Sequence, residues 1–185
     1  MPWRLLLAGL VFALILGGVG LFLGSRLHPA EAVHSSAPER LQPVGTVSGP
    51  MLPGGTVYVP VYSSLYLGRD IKQRVVELAA TVSVRNVSAT HPIVIEWVRY
   101  YDSTGKLIRE YLPKPSALPP LGSVEFVIQV SDTTGGPGAN FLIHWNGPAA
   151  VDEPLIEAIM LGQSGNAGIS FTSPGRVVKS ERAVQ

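Results

Sequence analysis

The chain has 185 residues, no cysteine, a formal net charge of +1 and only 15% charged residues. The lack of cysteine excludes disulfides, thiolate metal centres and a lipid-modified cysteine. Near-neutral charge without a basic cluster argues against nucleic acid as a main partner.

The first element in the chain is an apolar run, Leu5 to Leu23, bounded by Arg4 and Arg26 and free of internal charge. At ~1.5 Å of helical rise per residue, such a run approaches the ~30 Å hydrocarbon thickness of a bilayer. Residues 1–26 are therefore expected to form one N-terminal transmembrane helix, retained as a signal anchor. Arg4 and the terminal amine favour the inside, whereas Arg26 pulls the other way. Export of the C-terminal part is the expectation, with the protein single-pass in the cytoplasmic membrane. Ala30-Glu31-Ala32 offers the alternative of cleavage, which leaves a soluble periplasmic protein. Ala13/Gly17 and Gly20/Gly24 have the spacing that lets membrane helices pack closely, but oligomeric state stays open.

Residues 27–55 are rich in Pro and Ser and carry Pro29, Pro38, Pro43, Pro50 and Pro53. They read as a spacer, with Thr46 to Met51 as the part that can instead pack on the domain as an edge segment.

From Thr56 the pattern changes to period two. Val76, Leu78, Ala80, Val82 and Val84 alternate with Glu77, Thr81, Ser83 and Arg85, which predicts a strand buried on one side. Val124, Phe126, Ile128 and Val130 repeat the pattern, as do Phe141, Ile143 and Trp145 around His144. Ile93 to Tyr101 and Leu107 to Leu112 flank Asp102-Ser103-Thr104-Gly105, which marks a hairpin. Val57–Tyr62, Leu155–Leu161 and Gly168–Thr172 bring the set to about eight strands. Leu155, Ile159 and Met160 also fit a helical stripe, so Pro154–Leu161 carries a helix alternative. Prolines 92, 113, 115, 119, 120, 148, 154 and 174 fall between the strands, where a missing amide is tolerated. Pro60 lies inside a strand and predicts an edge or a bulge.

This pattern predicts an all-β domain over residues 56–178, an antiparallel two-sheet sandwich of immunoglobulin-like type. Trp97 is its expected central aromatic, and residues 179–185 are expected to form a mobile tail.

The most unusual loop is Ser131 to Asn140. Its glycines can free backbone amides for an anion, and Asp132 with nearby carbonyls can hold Ca²⁺. The structural alternative is a tight connection in which glycine supplies positive φ and Asp caps the turn. The candidate ligand-binding residues are Asp132, Thr133, Gly135, Gly136 and Asn140, with Glu157 and His144. Glu157 qualifies because a carboxylate interrupts an apolar segment, and on a strand it shares the face of Leu155 and Ile159. Gly162-Gln163-Ser164-Gly165 departs by one residue from a nucleophile elbow. Only His91 and His144 lie in the domain, too few for a metal site without cysteine. No catalytic residue, metal or cofactor is assigned. Asn86-Val87-Ser88 matches the glycosylation sequon.

Several segments, taken in order, resemble the bacterial domain-of-unknown-function 3124 family. They are Tyr58-Val59-Pro60-Val61-Tyr62-Ser63, Thr81-Val82-Ser83-Val84-Arg85-Asn86, and Tyr100-Tyr101-Asp102 followed by Gly105-Lys106. Ser131-Asp132-Thr133-Thr134-Gly135-Gly136-Pro137-Gly138-Ala139-Asn140-Phe141 and Gly168-Ile169-Ser170-Phe171-Thr172-Ser173 complete them. The resemblance spans about Thr56 to Val178 and implies a small exported or membrane-tethered bacterial domain without an assigned activity.

The functional expectation is a non-enzymatic binding or assembly module of the cell envelope, held at the membrane through Leu5–Leu23. Its partner is expected to be another envelope protein or a polysaccharide. The alternatives are a small-ligand or Ca²⁺ module built on residues 131–140, and an envelope hydrolase using Asp132, Glu157 or His144.

Overall fold

Alternating side chains cover one face of each strand with apolar atoms, and those faces can leave water only by meeting each other. The computed structural model describes residues 41–47, 50–67, 75–148 and 151–180. The expected membrane anchor and the last five residues lie outside the described residues. Among the described residues, no helix is long and apolar enough to cross a membrane.

Twelve strands follow one another among the described residues: β1 (Gln42–Pro43), β2 (Leu52–Pro60), β3 (Ser64–Tyr66), β4 (Val75–Arg85), β5 (Ile93–Tyr101) and β6 (Leu107–Leu112), then β7 (Ser116–Leu118), β8 (Ser123–Ile128), β9 (Asn140–Gly147), β10 (Leu155–Ser164), β11 (Ala167–Pro174) and β12 (Arg176–Ser180). They form two antiparallel sheets. The seven-stranded sheet runs β1-β7-β5-β9-β2-β12, with β6 sharing the β7 edge of β5. The five-stranded sheet runs β11-β10-β4-β3, with β8 also on β4.

All eight expected strands are present, and Pro154–Leu161 resolves as strand β10 and not as a helix. The inner faces meet in one apolar core. Val82, Val84, Phe126, Ile156 and Met160 come from one sheet, and Val59, Ile95, Tyr100, Phe141 and Trp145 from the other. The last strand reaches Ser180, beyond Val178 where a mobile tail was expected, because Lys179 and Ser180 pair with Thr56 and Gly55.

One expectation about an individual residue changes, and another is met in its edge form. Trp97 is not the central aromatic; Trp145 is, at 1% exposure. A bulge between Ile95 and Trp97 leaves Glu96 as the extra residue and shifts the alternation, so Ile95 and Val98 point inward. Pro60 ends β2, where β9 still pairs on one side but β12 reaches only as far as Tyr58. Its missing amide thus falls at a locally open edge, and the bulge of β2 lies instead between Pro53 and Gly55. There Gly54 packs so closely on the Trp145 ring and carbonyl that a Cβ would overlap both.

Strand direction sorts the connections into two ends. The 86–92 connection, the 119–122 turn and the 148–154 connection lie at one end. Residues 61–63, 102–106 and 129–139 lie at the other.

Candidate binding surfaces

The loop between β8 and β9 is held from below, and its glycines are there for that reason. Ser103, in the β5–β6 turn, donates its amide to Gly135 O at 3.0 Å and its hydroxyl to the same oxygen at 2.9 Å. Gly138 N donates to Ser103 Oγ at 2.8 Å. Ser63, just after β2, donates both its amide and its hydroxyl to Gly136 O, each at 3.2 Å. Gly136 has φ +73°, a conformation costly for residues with a side chain. Gly135 is buried against the Tyr100 hydroxyl, with no room for a Cβ. The amide of Gly138 and the carbonyls of Gly135 and Gly136 are therefore already engaged within the fold. These bonds fit the tight-connection alternative for the loop.

Asp132 caps the loop as expected of a turn residue. Its Oδ1 accepts from the amide of Thr134 at 3.2 Å and from the Thr134 hydroxyl. Its Oδ2 meets Arg109 Nη2 at 3.3 Å. Arg109 also donates to the Tyr111 hydroxyl at 3.2 Å, which donates to Val127 O at 3.1 Å. A shallow depression of about 490 Å³ opens here, lined by Arg109, Val127, Gln129, Ser131, Asp132, Thr133 and Thr134. Thr133 lines it with an exposed side chain, whereas Asn140 begins β9 on the outer face of the seven-stranded sheet. Beneath the loop, Tyr100 stacks on Phe141 with centroids 5.0 Å apart, and Tyr111 lies 5.3 Å from Phe141 and 5.9 Å from Phe126. Burial pushes the Tyr100 phenol up to about 12, reinforced by Asp132 and Tyr111 and opposed by Ser63 and Arg109. Burial also raises Tyr111, against the nearby Arg109 guanidinium.

A second surface lies on the outer face of the seven-stranded sheet. Register places Thr56, His144 and Trp97 in one row across β2, β9 and β5. Tyr58, Leu142 and Arg99 form the next row. Trp97 and His144 stack with centroids 5.5 Å apart and planes 17° from parallel. The Arg99 guanidinium sits 4.5 Å from the Trp97 ring centroid, a cation–π contact, and Arg99 Nε pairs with Glu110 at 3.1 Å. Thr56 Oγ1 and His144 Nδ1 are 3.1 Å apart, and Asn146 donates to Glu96 at 2.6 Å. His144 thus points away from the core, as its alternation with Phe141, Ile143 and Trp145 requires.

Glu157 stands on the opposite outer face, in β10, beside Ser83, with its carboxylate 3.7 Å from Arg85. Asp132, His144 and Glu157 therefore occupy a loop, one sheet face and the other sheet face, and do not converge. Among the described residues, no three His, Asp or Glu side chains gather as a metal site. Ser164 lies at the end of the β10–β11 hairpin, whose turn uses Gly165 at φ +61°, so this segment is a strand-to-strand turn and not a nucleophile elbow. Asn86 of the sequon is buried and donates to the carbonyls of His91, Leu118 and Pro119 at 2.8, 3.2 and 3.1 Å.

Sequence reasoning missed Arg109 and the Trp97–Arg99 pair. Arg109 meets Asp132 only through the hairpin that returns β6 along β5. Trp97 reaches the outer face only through the bulge at Glu96.

The crystal structure of Thermotoga maritima 1070 is similar to this chain, with 8% identity and a TM-score of 0.39, over 69% of this chain and 97% of that one. No curated protein matches this chain. Residues 54–178 match the family described as Protein of unknown function (DUF3124), and the chain belongs to that family.

Proposed function

We propose that this chain is a membrane-tethered, extracytoplasmic recognition module that binds another protein of the bacterial cell envelope. Residues 1–26 act as the retained anchor, and the sandwich serves as an immunoglobulin-like framework. The observation that carries the binding role is the ordered array on the outer face of the seven-stranded sheet, where Trp97 stacks on His144 and carries the Arg99 guanidinium over its ring. Trp, Tyr and Arg are the side chains that most often dominate protein interfaces, because they bury large areas with few rotors to fix. Here the rings are held in place before a partner arrives, which lowers the ordering cost of association. A catalytic role finds less support, since the candidate acid, base and nucleophile sit on separate surfaces.

The test places a photo-crosslinking amino acid at Leu142, between Tyr58 and Arg99, in the full chain within its native envelope. A discrete adduct from Leu142, absent when the crosslinker is at Thr81 on the other sheet, is expected. Trp97→Ala with Arg99→Ala should remove it, as loss of a central anchor costs about 2 kcal/mol or more. No adduct at Leu142, or one that survives the double substitution, overturns the reading. Enrichment of polysaccharide in place of protein assigns the face to a glycan.

A second reading places a small ligand in the depression beside Arg109 and Asp132, favoured by its size and polar lining. Melting temperatures that rise with Ca²⁺, phosphate or neutral sugars support it, and no shift with any of them dismisses it.

A further inference from the structure

The turn that joins β7 to β8 presents a leucine where a small or polar residue is the usual choice. Leu121 has φ +55°, the one non-glycine residue with positive φ among the described residues. The residue is 70% exposed, the highest among the exposed large hydrophobics. A branched side chain in the left-handed region is strained, and it persists only where its surroundings dictate the backbone.

Those surroundings are unusually complete. Gly122 N donates to Pro119 O and Leu121 N to Ser88 O, each at 3.0 Å, and Asn86 N donates to Gly122 O at 2.9 Å. The buried Asn86 amide then ties the 86–92 connection to the carbonyls of Leu118 and Pro119. Pro119 and Pro120 stiffen the approach to the turn. The result is a rigid knuckle with an apolar tip. Val87, in the neighbouring connection, is 42% exposed.

The direction of β1 indicates what covers this tip. Gln42 faces Ala117 and Pro43 faces Ser116 in an antiparallel pair. Followed towards the N-terminus, the chain therefore leaves β1 in the direction of Leu118 and Leu121. The apolar run ends at Leu23, so only residues 24–40 separate it from Leu41. The chain thus enters the sheets at the Leu121 end. We propose that Leu121, with Val87 beside it, inserts into the lipid surface and seats the sandwich on the membrane by this end. The inference rests on the anchor reading above. It turns residues 61–63, 102–106 and 129–139 away from the bilayer, because they lie at the opposite end. Asp152 and Glu153 stand in the 148–154 connection at the tip's own end, so the contact is apolar and not an attraction to anionic headgroups.

The absence of cysteine makes the test direct. The full chain is reconstituted in phosphatidylethanolamine–phosphatidylglycerol vesicles that carry brominated acyl chains. A fluorophore is attached at Leu121→Cys, Val87→Cys or, at the far end, Lys106→Cys. The expected result is bromolipid quenching at positions 121 and 87 that persists in high salt, and none at 106. Adding Leu121→Asp to the Val87→Cys protein should reduce quenching about tenfold, since a leucine's transfer from apolar surroundings to water is worth at least that factor. No quenching at 121, or equal quenching at 121 and 106, overturns the inference. Alkaline extraction of the same vesicles reports the anchor separately. A chain that is stripped off refutes the anchor, whereas a chain that stays without quenching at 121 refutes the knuckle alone.

Discussion

Gly135 lies directly against the hydroxyl of Tyr100, so close that a methyl group at 135 would overlap the oxygen and the ring carbon that bears it. This contact joins the loop after β8 to the core, and it explains the residue types at both positions. Tyr100 is fully buried, and its hydroxyl forms no well-aligned hydrogen bond, although Ser63 faces it.

Gly135→Ala should therefore destabilise the domain by about 1–3 kcal/mol, the usual cost of overpacking. Tyr100→Phe removes a poorly satisfied buried hydroxyl and should change stability by no more than about 1 kcal/mol. Combined, the two substitutions should cost less than their sum. The remaining overlap with Ala139 Cβ keeps the rescue partial. Denaturant titration of the four proteins measures the coupling, and strict additivity would show that the contact does not govern position 135.

The raised tyrosines fix how stability responds to alkali. Tyr100 titrates at about 12 in the folded protein, against 10.0 for an ordinary phenol, and Tyr111 is displaced in the same direction. The neutral phenols are favoured by folding, so their contribution is complete below pH ~10, where the unfolded chain also keeps its protons. Above that, the unfolded state loses protons first, and stability falls until the folded phenols ionise. Tyr100 alone should remove about 2–3 kcal/mol between pH ~10 and ~12, at ~1.4 kcal/mol per unit. Tyr100→Phe should flatten the slope in this interval. An alkaline denaturation series with and without that substitution checks it, and identical slopes would sink the assignment.

The two tryptophans of the β domain, Trp97 and Trp145, separate what alternation reveals from what it hides. Trp145 is buried between the sheets, whereas Trp97 lies outside against His144 and Arg99. Trp145→Ala should cost about 3–5 kcal/mol, the range for emptying a large core site. Trp97→Ala should cost only about 1 kcal/mol, from a lost cation–π contact and partial burial. Thermal unfolding of both variants reads the difference directly, and equal losses would place both rings in the core.

The eight longer strands were legible because each spans enough residues to show period two, and proline marks their ends. The short strands β1, β3 and β7 were not, since two or three residues carry no period and gain their pairing from neighbours. β12 was hidden for another reason: Val177 and Val178 stand next to each other, and a bulge follows Val177. Bulges also explain the misplaced Trp97, as a one-residue insertion reverses every later face without changing composition. At the candidate surfaces, the Asp132 turn was readable from residue type. Arg109 was not, because its pairing with Asp132 depends on which strand returns beside β5.

Asn86 yields the last prediction. Its amide nitrogen reaches the carbonyls of His91, Leu118 and Pro119, and its oxygen accepts from Ser88 N at 3.0 Å. One buried side chain thus closes the 86–92 connection and the turn before β8. Asn86→Ala leaves those buried carbonyls without their donor and should cost about 2–4 kcal/mol. Asn86→Asp keeps the acceptor and the shape but sets a carboxylate against carbonyl oxygens, so it should be at least as damaging near neutral pH. Its deficit should shrink as pH falls and the carboxyl acquires a proton to donate. Denaturant titrations of Asn86→Asp at neutral and acidic pH, set against Asn86→Ala, distinguish a donor hub from a residue that merely fills space. If Asp is tolerated as well as Asn at neutral pH, the donor role is wrong. The same geometry leaves no free amide for a glycan, so the Asn86-Val87-Ser88 sequon should stay unmodified in the folded chain, which intact-mass measurement after exposure to an asparagine-glycosylating system would establish.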